Sequence, residues 1–276
     1  MNNAKAFTQF ESIFDALHAL ADNKTPFNLE EYRRQCVDDY NRREGELNKY
    51  DGYNCTLCKN KGFIASLGEG FSEVHTICKC SKNRATLKRA RESGLGDIIS
   101  DYTFDKYIAT EPWQMEIKEA AQRFCEDEDA RWFYIGGQVG AGKTHLCTAI
   151  CGYYIKAGLD VKYMLWNEEA KKLKALVNDK SYQDEIAVYK NSDVLYIDDF
   201  FKVKHGEAPT NGDINLAFEI INHRLLSREK ITVISSEKQF SDILSYDEAT
   251  VSRIIQKTGN YRISLGADMK KNYRLK

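Results

Sequence analysis

Residues 137–144 place glycines ahead of a lysine and a hydroxyl, in the pattern G-x-x-x-x-G-K-[ST]. Glycines let the backbone curl so that successive N–H groups point at phosphate oxygens, and a helix starting near Lys143 adds its positive end. Lys143 can then reach the β- and γ-phosphates, and the Thr144 hydroxyl suits Mg²⁺. The sequence therefore predicts an ATP site whose contacts are Gly137, Gln138, Val139, Gly140, Ala141, Gly142, Lys143, Thr144 and His145.

A second chemical signal is the pair of carboxylates that ends the apolar run 193–199. A buried parallel strand has its carboxyl end at the crevice where ligands bind, so Asp198 is placed to hold Mg²⁺, directly or through water. Asp199, one residue on, points differently and can polarise the attacking water as a general base. Together with Lys143, these residues predict ATP hydrolysis.

Four cysteines form a separate cluster ahead of this region, with Cys55 and Cys58 spaced C-x-x-C and Cys78 and Cys80 spaced C-x-C. Four thiolates suit a closed tetrahedral zinc site, which orders a segment too small to bury its own core. The glycines around the pairs suit two turns joined by a hairpin, and His75 is an alternative ligand for one cysteine. The remaining cysteines, Cys36, Cys125, Cys147 and Cys151, are isolated, and Cys147 and Cys151, one turn apart on the predicted helix 144–157, are expected to be packing residues.

The elements that must position these residues alternate from Pro112 onward, which implies βαβ units and a mainly parallel sheet. The fold class is therefore α/β. The predicted strands are residues 131–136, 161–166, 193–198, 231–236 and 261–265, and the predicted helices are 113–126, 144–157 with Gly158 as its C-cap, 215–228 and 247–257.

The chain divides into a helical N-terminal arm (1–50), a zinc module with a basic segment (51–95) and an ATPase domain (96–276). In the arm, apolar residues from Phe7 to Leu17 recur at helical spacing, and a second helix is predicted over Leu29–Leu47. These helices either pack on a neighbouring module or offer a docking surface to a partner. The segment 101–113 is predicted to be a linker into the last domain.

Composition limits the classes of protein. The 276 residues carry a net charge of −1, so any contact with nucleic acid must come from a local patch. No apolar run approaches the roughly eighteen residues of a membrane helix, and the N-terminus lacks the pattern of a secretory signal. Clustered cysteines without a signal indicate a reducing compartment. We expect a soluble, cytoplasmic protein that does not bind membranes.

The motifs GGQVGAGKTHL, DVLYIDDF, ITVISSEK and ATVSRI resemble those of bacterial and phage helicase loaders of the DnaC/DnaI type, which are AAA+ ATPases. The resemblance covers roughly residues 101–276, and DnaI-like loaders are similar in carrying an N-terminal zinc module. It implies a sensor-one residue at Ser235 or Ser236, with Ser236 the predicted one, at a position where many relatives have Asn. It also implies an arginine finger at Arg253 and a sensor-two arginine at Arg274.

The function that this resemblance implies is ATP-dependent loading of a hexameric replicative helicase onto single-stranded DNA, by subunits that self-associate into a ring or spiral. Basic residues in 79–91 and 253–276 are the local candidates for DNA contact. The strongest alternative is a transposition helper ATPase of the IstB type, which usually lacks a four-cysteine module. A small-molecule kinase and a nucleotide-gated binding protein are further alternatives.

Overall fold

The computed structural model describes residues 28–96, 98–203 and 207–275, so the predicted helix between Phe7 and Leu17 lies outside the described part. The chain forms two compact units, one ending at Arg84 and one beginning at Ala85. This division falls inside the helix Cys80–Glu92, whereas the sequence suggested a boundary after residue 95. The two units are described in turn.

The first unit contains helices α1 (Leu29–Arg42) and α2 (Leu47–Asp51) and an antiparallel hairpin of β1 (Phe63–Leu67) and β2 (Glu73–Ile77). The single helix predicted over Leu29–Leu47 is wrong, because the chain becomes extended at Arg43. Gly45 then passes the cysteine loop so closely that a Cβ there would lie 2.4 Å from the Asn60 carbonyl oxygen. A helix that continued through Gly45 would break this close contact between the Gly45 and Asn60 backbones.

The outer edge of β1 is hydrogen-bonded by a side chain instead of a third strand. Asn41 donates from Nδ2 to the Ala65 carbonyl at 2.8 Å and accepts from the Ala65 N–H at 3.0 Å. One amide group therefore satisfies both backbone groups of an edge residue, which ties α1 to the hairpin.

The second unit alternates helices and strands as predicted. After α3 (Cys80–Glu92), which begins in the first unit, it contains α4 (Ile98–Asp101), α5 (Pro112–Glu126), β3 (Trp132–Gly137), α6 (Lys143–Ala157), β4 (Val161–Leu165), α7 (Trp166–Ala175), α8 (Tyr182–Asn191), β5 (Val194–Asp198), α9 (Asn211–Leu225), β6 (Ile231–Ser236), α10 (Phe240–Tyr246), α11 (Glu248–Thr258) and β7 (Arg262–Leu265). Gly158 ends α6 in the left-handed conformation predicted for a C-cap.

The five strands β3 to β7 form one parallel sheet in the order β4-β5-β6-β3-β7, which confirms the predicted fold class. Side chains of β3 alternate between two apolar clusters, Phe133 and Ile135 on one face and Trp132 and Tyr134 on the other. Both faces are thus covered. Since the strands are parallel, β3, β5 and β6 end at the same edge of the sheet.

Cys147 and Cys151 lie in the core of the second unit, as expected for packing residues, and Cys125 lies in the same cluster. Within the ranges that the structure describes, no helix combines the length and apolarity needed to cross a bilayer.

Candidate functional site

The loop between β3 and α6 has the backbone that its glycines allow. Gly137, Gly140 and Gly142 have φ of 102°, 72° and 82°, values that favour glycine. Space is equally restrictive, because a Cβ on Gly137 would lie 2.0 Å from the Leu265 carbonyl oxygen and one on Gly140 would lie 1.9 Å from Oδ1 of Asn272. The loop therefore requires glycine at these positions, and its curled backbone suits a phosphate chain.

Lys143, the first residue of α6, lies inside this loop. Its Nζ donates to the carbonyl oxygens of Gly137 at 2.9 Å and Gln138 at 2.7 Å. Burial lowers the pKa of Lys143, although acidic residues nearby act in the opposite direction. The loop thus holds a buried cation through neutral carbonyl groups, which leaves its charge available to an anion.

Asp198 ends β5 with 4% of its surface exposed. Its Oδ1 accepts from the Thr144 hydroxyl at 3.4 Å, from the Asp199 N–H at 3.0 Å and from the Ser235 hydroxyl. Its Oδ2 accepts from the Tyr163 hydroxyl at 3.1 Å. The structure therefore brings together Thr144 and Asp198, the two residues predicted to share Mg²⁺, and their hydroxyl and carboxylate oxygens are the donor type that this ion prefers.

Asp199 adopts a left-handed backbone with φ of 55° and lines a cavity together with residues of the phosphate loop. Its Oδ2 accepts from Lys202 Nζ at 2.9 Å, and the same ammonium donates to Glu237 Oε1 at 2.9 Å. Burial acts against the charge of Lys202, but hydrogen bonds to these two carboxylates raise its pKa overall. The predicted general base is thus held in an acid–lysine–acid triad that the sequence did not predict.

Of the two candidate sensor serines, the structure places Ser235 at the site. Ser235 is level with Asp198 across the β5–β6 pairing and donates to its carboxylate. Ser236, the predicted sensor residue, donates to the Phe200 carbonyl oxygen at 2.8 Å instead. Side chains alternate along a strand, so only one of two consecutive serines can face Asp198.

The phosphate loop opens into a cavity of about 370 Å³. Residues of the segment 101–113 line one side of it, so the prediction of a linker there is wrong. Tyr107 is buried and its ring packs over Gly142, where a Cβ would lie 2.8 Å from the ring. His145 stacks on Tyr102 at 4.8 Å and its Nε2 lies 2.8 Å from the Thr103 carbonyl oxygen. Burial lowers the pKa of His145, which favours a neutral ring.

The C-terminal segment closes another side of this cavity. The Tyr273 N–H donates to the Gly140 carbonyl at 2.9 Å, and its hydroxyl donates to the Ile108 carbonyl. Arg274, the predicted sensor-two residue, lines the same cavity. Arg253 lies elsewhere, on α11, with its guanidinium 5.2 Å from the centre of the Phe218 ring. Within one chain, the structure therefore brings Arg274 but not Arg253 to the phosphate loop.

The four predicted zinc ligands converge in the first unit. The Sγ atoms of Cys55, Cys58, Cys78 and Cys80 all lie within 4.8 Å of one another, and all four residues are buried. Cys55 and Cys78 are separated by 3.8 Å, and Cys58 and Cys80 by 3.6 Å. Tetrahedral zinc with Zn–S bonds of about 2.3 Å requires S–S edges of about 3.8 Å. The thiols therefore fit this ion in both number and spacing.

The surroundings of the cluster also suit a metal site. The Gly62 N–H donates to Cys58 Sγ at 3.3 Å, which stabilises a thiolate. The hairpin β1–β2 returns the chain so that Cys78 and Cys80 meet the first pair. His75 lies on that hairpin, packs against the Tyr40 ring and pairs with Glu73 at 2.8 Å, so it is not part of the cluster.

Comparison with known proteins agrees with this geometry. A sequence profile of the bacterial DnaA ATPase domain matches residues 98–258, more than half of the chain. The phage-like element PBSX protein XkdC of Bacillus subtilis strain 168 is 29% identical over 245 residues, which are 84% of this chain and 89% of that protein. The chain spans less than half the length of the curated DnaA initiator proteins that it matches.

Two solved structures have a similar fold. A crystal structure of the DnaC helicase loader matches with a TM-score of 0.54 and 22% identity, covering 63% of this chain and 100% of that one. A crystal structure of DnaI matches with a TM-score of 0.51 and 17% identity, covering 61% of this chain and 92% of that one.

Proposed function

Since the chain belongs to the family of the bacterial DnaA ATPase domain, and is an ATP-binding ATPase, we propose that it loads a hexameric replicative helicase onto single-stranded DNA. The AAA+ fold and the resemblance to loaders of the DnaC/DnaI type are confirmed. The loading activity and its two partners, a helicase and single-stranded DNA, are proposals.

One observation favours a loader over the alternatives, namely the buried four-cysteine cluster in a unit that precedes the ATPase domain. A transposition helper of the IstB type has a comparable ATPase core but usually lacks such a module. We propose that the cluster binds one structural zinc ion, and that the unit it stabilises holds the helicase.

The chemistry proposed for the ATP site follows from the positions of its side chains. Lys143 neutralises the β- and γ-phosphates, while Thr144 and Asp198 hold Mg²⁺, which supplies further charge neutralisation when bound. Asp199 accepts a proton from the attacking water after Lys202 moves off its carboxylate. Arg274 contacts the nucleotide of its own chain, and Arg253 acts on the nucleotide of a neighbouring subunit in a ring or spiral.

Contacts to DNA are proposed for fewer basic residues than the sequence suggested. In the basic helix α3, Arg84 pairs with Asp51, and Arg89 donates to the Ile155 carbonyl oxygen at 3.4 Å. These two side chains therefore bond to other residues of this chain and are less available to DNA. In the C-terminal segment Lys270 is exposed on a short 3₁₀ turn (Met269–Lys271), whereas the ammonium of Lys271 lies 5.8 Å from the centre of the Trp113 ring, so Lys270 is the candidate there for a phosphate-backbone contact.

The test is a loading assay with the full chain, a bacterial hexameric replicative helicase and circular single-stranded DNA. A closed circle has no end to thread, so helicase retained on it must have been loaded through an opened ring. We expect retention that depends on both ATP and the chain, and that fails with Lys143→Ala. Equal retention without the chain, or no binding of helicase by the chain, would contradict the proposal.

A further inference from the structure

Tyr163 lies on the edge strand β4, outside all of the sequence motifs, and its side chain reaches the ATP site. In the pairing of β4 with β5, Tyr163 lies opposite Tyr196, and Asp198 follows two residues later. Residues two apart on a strand share a face, so Tyr196 and Asp198 project on the same side of the sheet. The Tyr163 side chain spans that offset and its hydroxyl meets Asp198 Oδ2 at 3.1 Å.

The two oxygens of Asp198 have different surroundings. Oδ1 accepts from the Thr144 and Ser235 hydroxyls and from the Asp199 N–H. Among the residues that the structure describes, Tyr163 supplies the hydrogen bond to Oδ2. A Thr144 hydroxyl that binds Mg²⁺ through an oxygen lone pair still donates its proton to Oδ1. The bond from Tyr163 fixes the other oxygen, Oδ2, and so helps to set the plane of the carboxylate.

Tyr163 is itself held firmly. Its N–H donates to the Ser93 carbonyl oxygen at 2.7 Å, and its ring lies 5.3 Å from the Tyr196 ring. A tyrosine hydroxyl is protonated at physiological pH and therefore acts as the donor in this hydrogen bond to the carboxylate. A fixed donor of this kind suits the second layer of a metal site.

We propose that Tyr163 is a positioning residue that orients Asp198 for Mg²⁺ through the hydrogen bond to Oδ2. The proposal rests on the magnesium role proposed above for Asp198. Removing an outer partner of a metal ligand typically weakens metal binding about tenfold or more.

The test measures binding of a fluorescent ATP analogue to the full chain over a range of Mg²⁺ concentrations and in EDTA. Tyr163→Phe keeps the ring and removes the hydroxyl. We expect the half-saturating Mg²⁺ concentration to rise about tenfold, with affinity in EDTA within about twofold of the wild type. Tyr154→Phe is the matched control, because it removes a hydroxyl from a buried tyrosine of the same apolar cluster and should change neither value.

A double-mutant cycle shows whether the hydroxyl acts through Asp198. In an Asp198→Asn background, Tyr163→Phe should change the Mg²⁺ dependence by less than about twofold. A full tenfold effect in that background would overturn the proposal, as would a Tyr163→Phe protein with wild-type Mg²⁺ dependence or with equal losses in Mg²⁺ and EDTA. If wild-type binding itself ignores Mg²⁺, the magnesium role of Asp198 fails, and with it the role of Tyr163.

Discussion

At the scale of single residues, the ammonium of Lys143 is the charge on which the ATP site depends most directly. It is buried in the phosphate loop and bonded to carbonyl oxygens. Lys143→Ala should weaken nucleotide binding and reduce ATP turnover by about a hundredfold or more, since it removes a preorganised cation from the transition state. Lys156→Ala, at the exposed far end of the same helix, should behave as wild type. Normal turnover by a folded Lys143→Ala protein, measured by phosphate release, would contradict the central role of this loop.

Lys202 permits a second prediction, because it neutralises two carboxylates that face the cavity. Lys202→Met leaves Asp199 and Glu237 to repel an anionic nucleotide, and we expect the affinity for ATP to fall roughly fivefold, or about 1 kcal/mol. The double variant Lys202→Met with Glu237→Gln should recover part of this loss. Calorimetric titration measures the affinity of both variants for ATP. An affinity that rises or stays constant in Lys202→Met would exclude this electrostatic role.

These residues also show how far sequence reasoning reaches. The phosphate loop was predictable because its chemistry is contained in eight consecutive residues whose backbone the glycines determine. Asp198 followed from the end of an apolar strand. Tyr163 and Lys202 act through contacts with Asp198 and Asp199 that only the folded chain creates. Glu237 was within reach, since it directly follows the strand β6 that ends at the same edge of the sheet.

At the scale of elements, the hairpin β1–β2 and the loop before it have little apolar core beyond the cysteines, with Tyr53 and Ile64 packed against them. We therefore predict one tightly bound zinc ion per chain, which contributes directly to the folding of this unit. Elemental analysis of protein purified without added metal should find it. Cys55→Ser with Cys58→Ser should lose the metal, whereas Cys36→Ser, outside the cluster, should retain it. A folded wild-type protein without metal would show that the thiols serve another purpose.

The predicted boundary of an element was correct where a local residue determines it, as Gly158 does at the end of α6. It was wrong where a contact with a distant residue determines it. The predicted strand 161–166 ends at Leu165, and Trp166 begins α7, because its ring packs against Phe200 and Phe201 beneath the sheet. Short helices such as α7, α8 and α10 carry too few turns for their apolar spacing to stand out in the sequence.

At the scale of the whole molecule, the role proposed for Arg253 is one that a single chain cannot perform. Its Nη1 is buried without a hydrogen-bond partner within the described residues, and its guanidinium lies over Phe218 and away from the phosphate loop. If it acts on a neighbour's ATP, Arg253→Ala should keep near-normal nucleotide affinity and lose most assembly-dependent hydrolysis, by about a thousandfold or more.

Mixing two inactive proteins tests this role directly. Lys143→Ala retains Arg253, and Arg253→Ala retains Lys143, so each can supply what the other lacks. We expect turnover to return in the mixture. If the mixture stays inactive while light scattering shows that the two proteins assemble together, Arg253 does not act between subunits.

The packing of residues 101–113 onto the phosphate loop has a practical consequence for expressing the ATPase domain as a fragment or transplanting it into another protein. A fragment cut at Pro112, where the alternation of helices and strands begins, would contain every phosphate-binding residue and the whole parallel sheet. It would nevertheless lack Tyr107, which covers Gly142, and Thr103, whose carbonyl holds His145. Such a fragment would keep the phosphate-binding loop but lose the residues that line one side of its cavity. Transplanting the nucleotide response into another protein therefore requires a junction upstream of α4, in a stretch that carries no motif of its own.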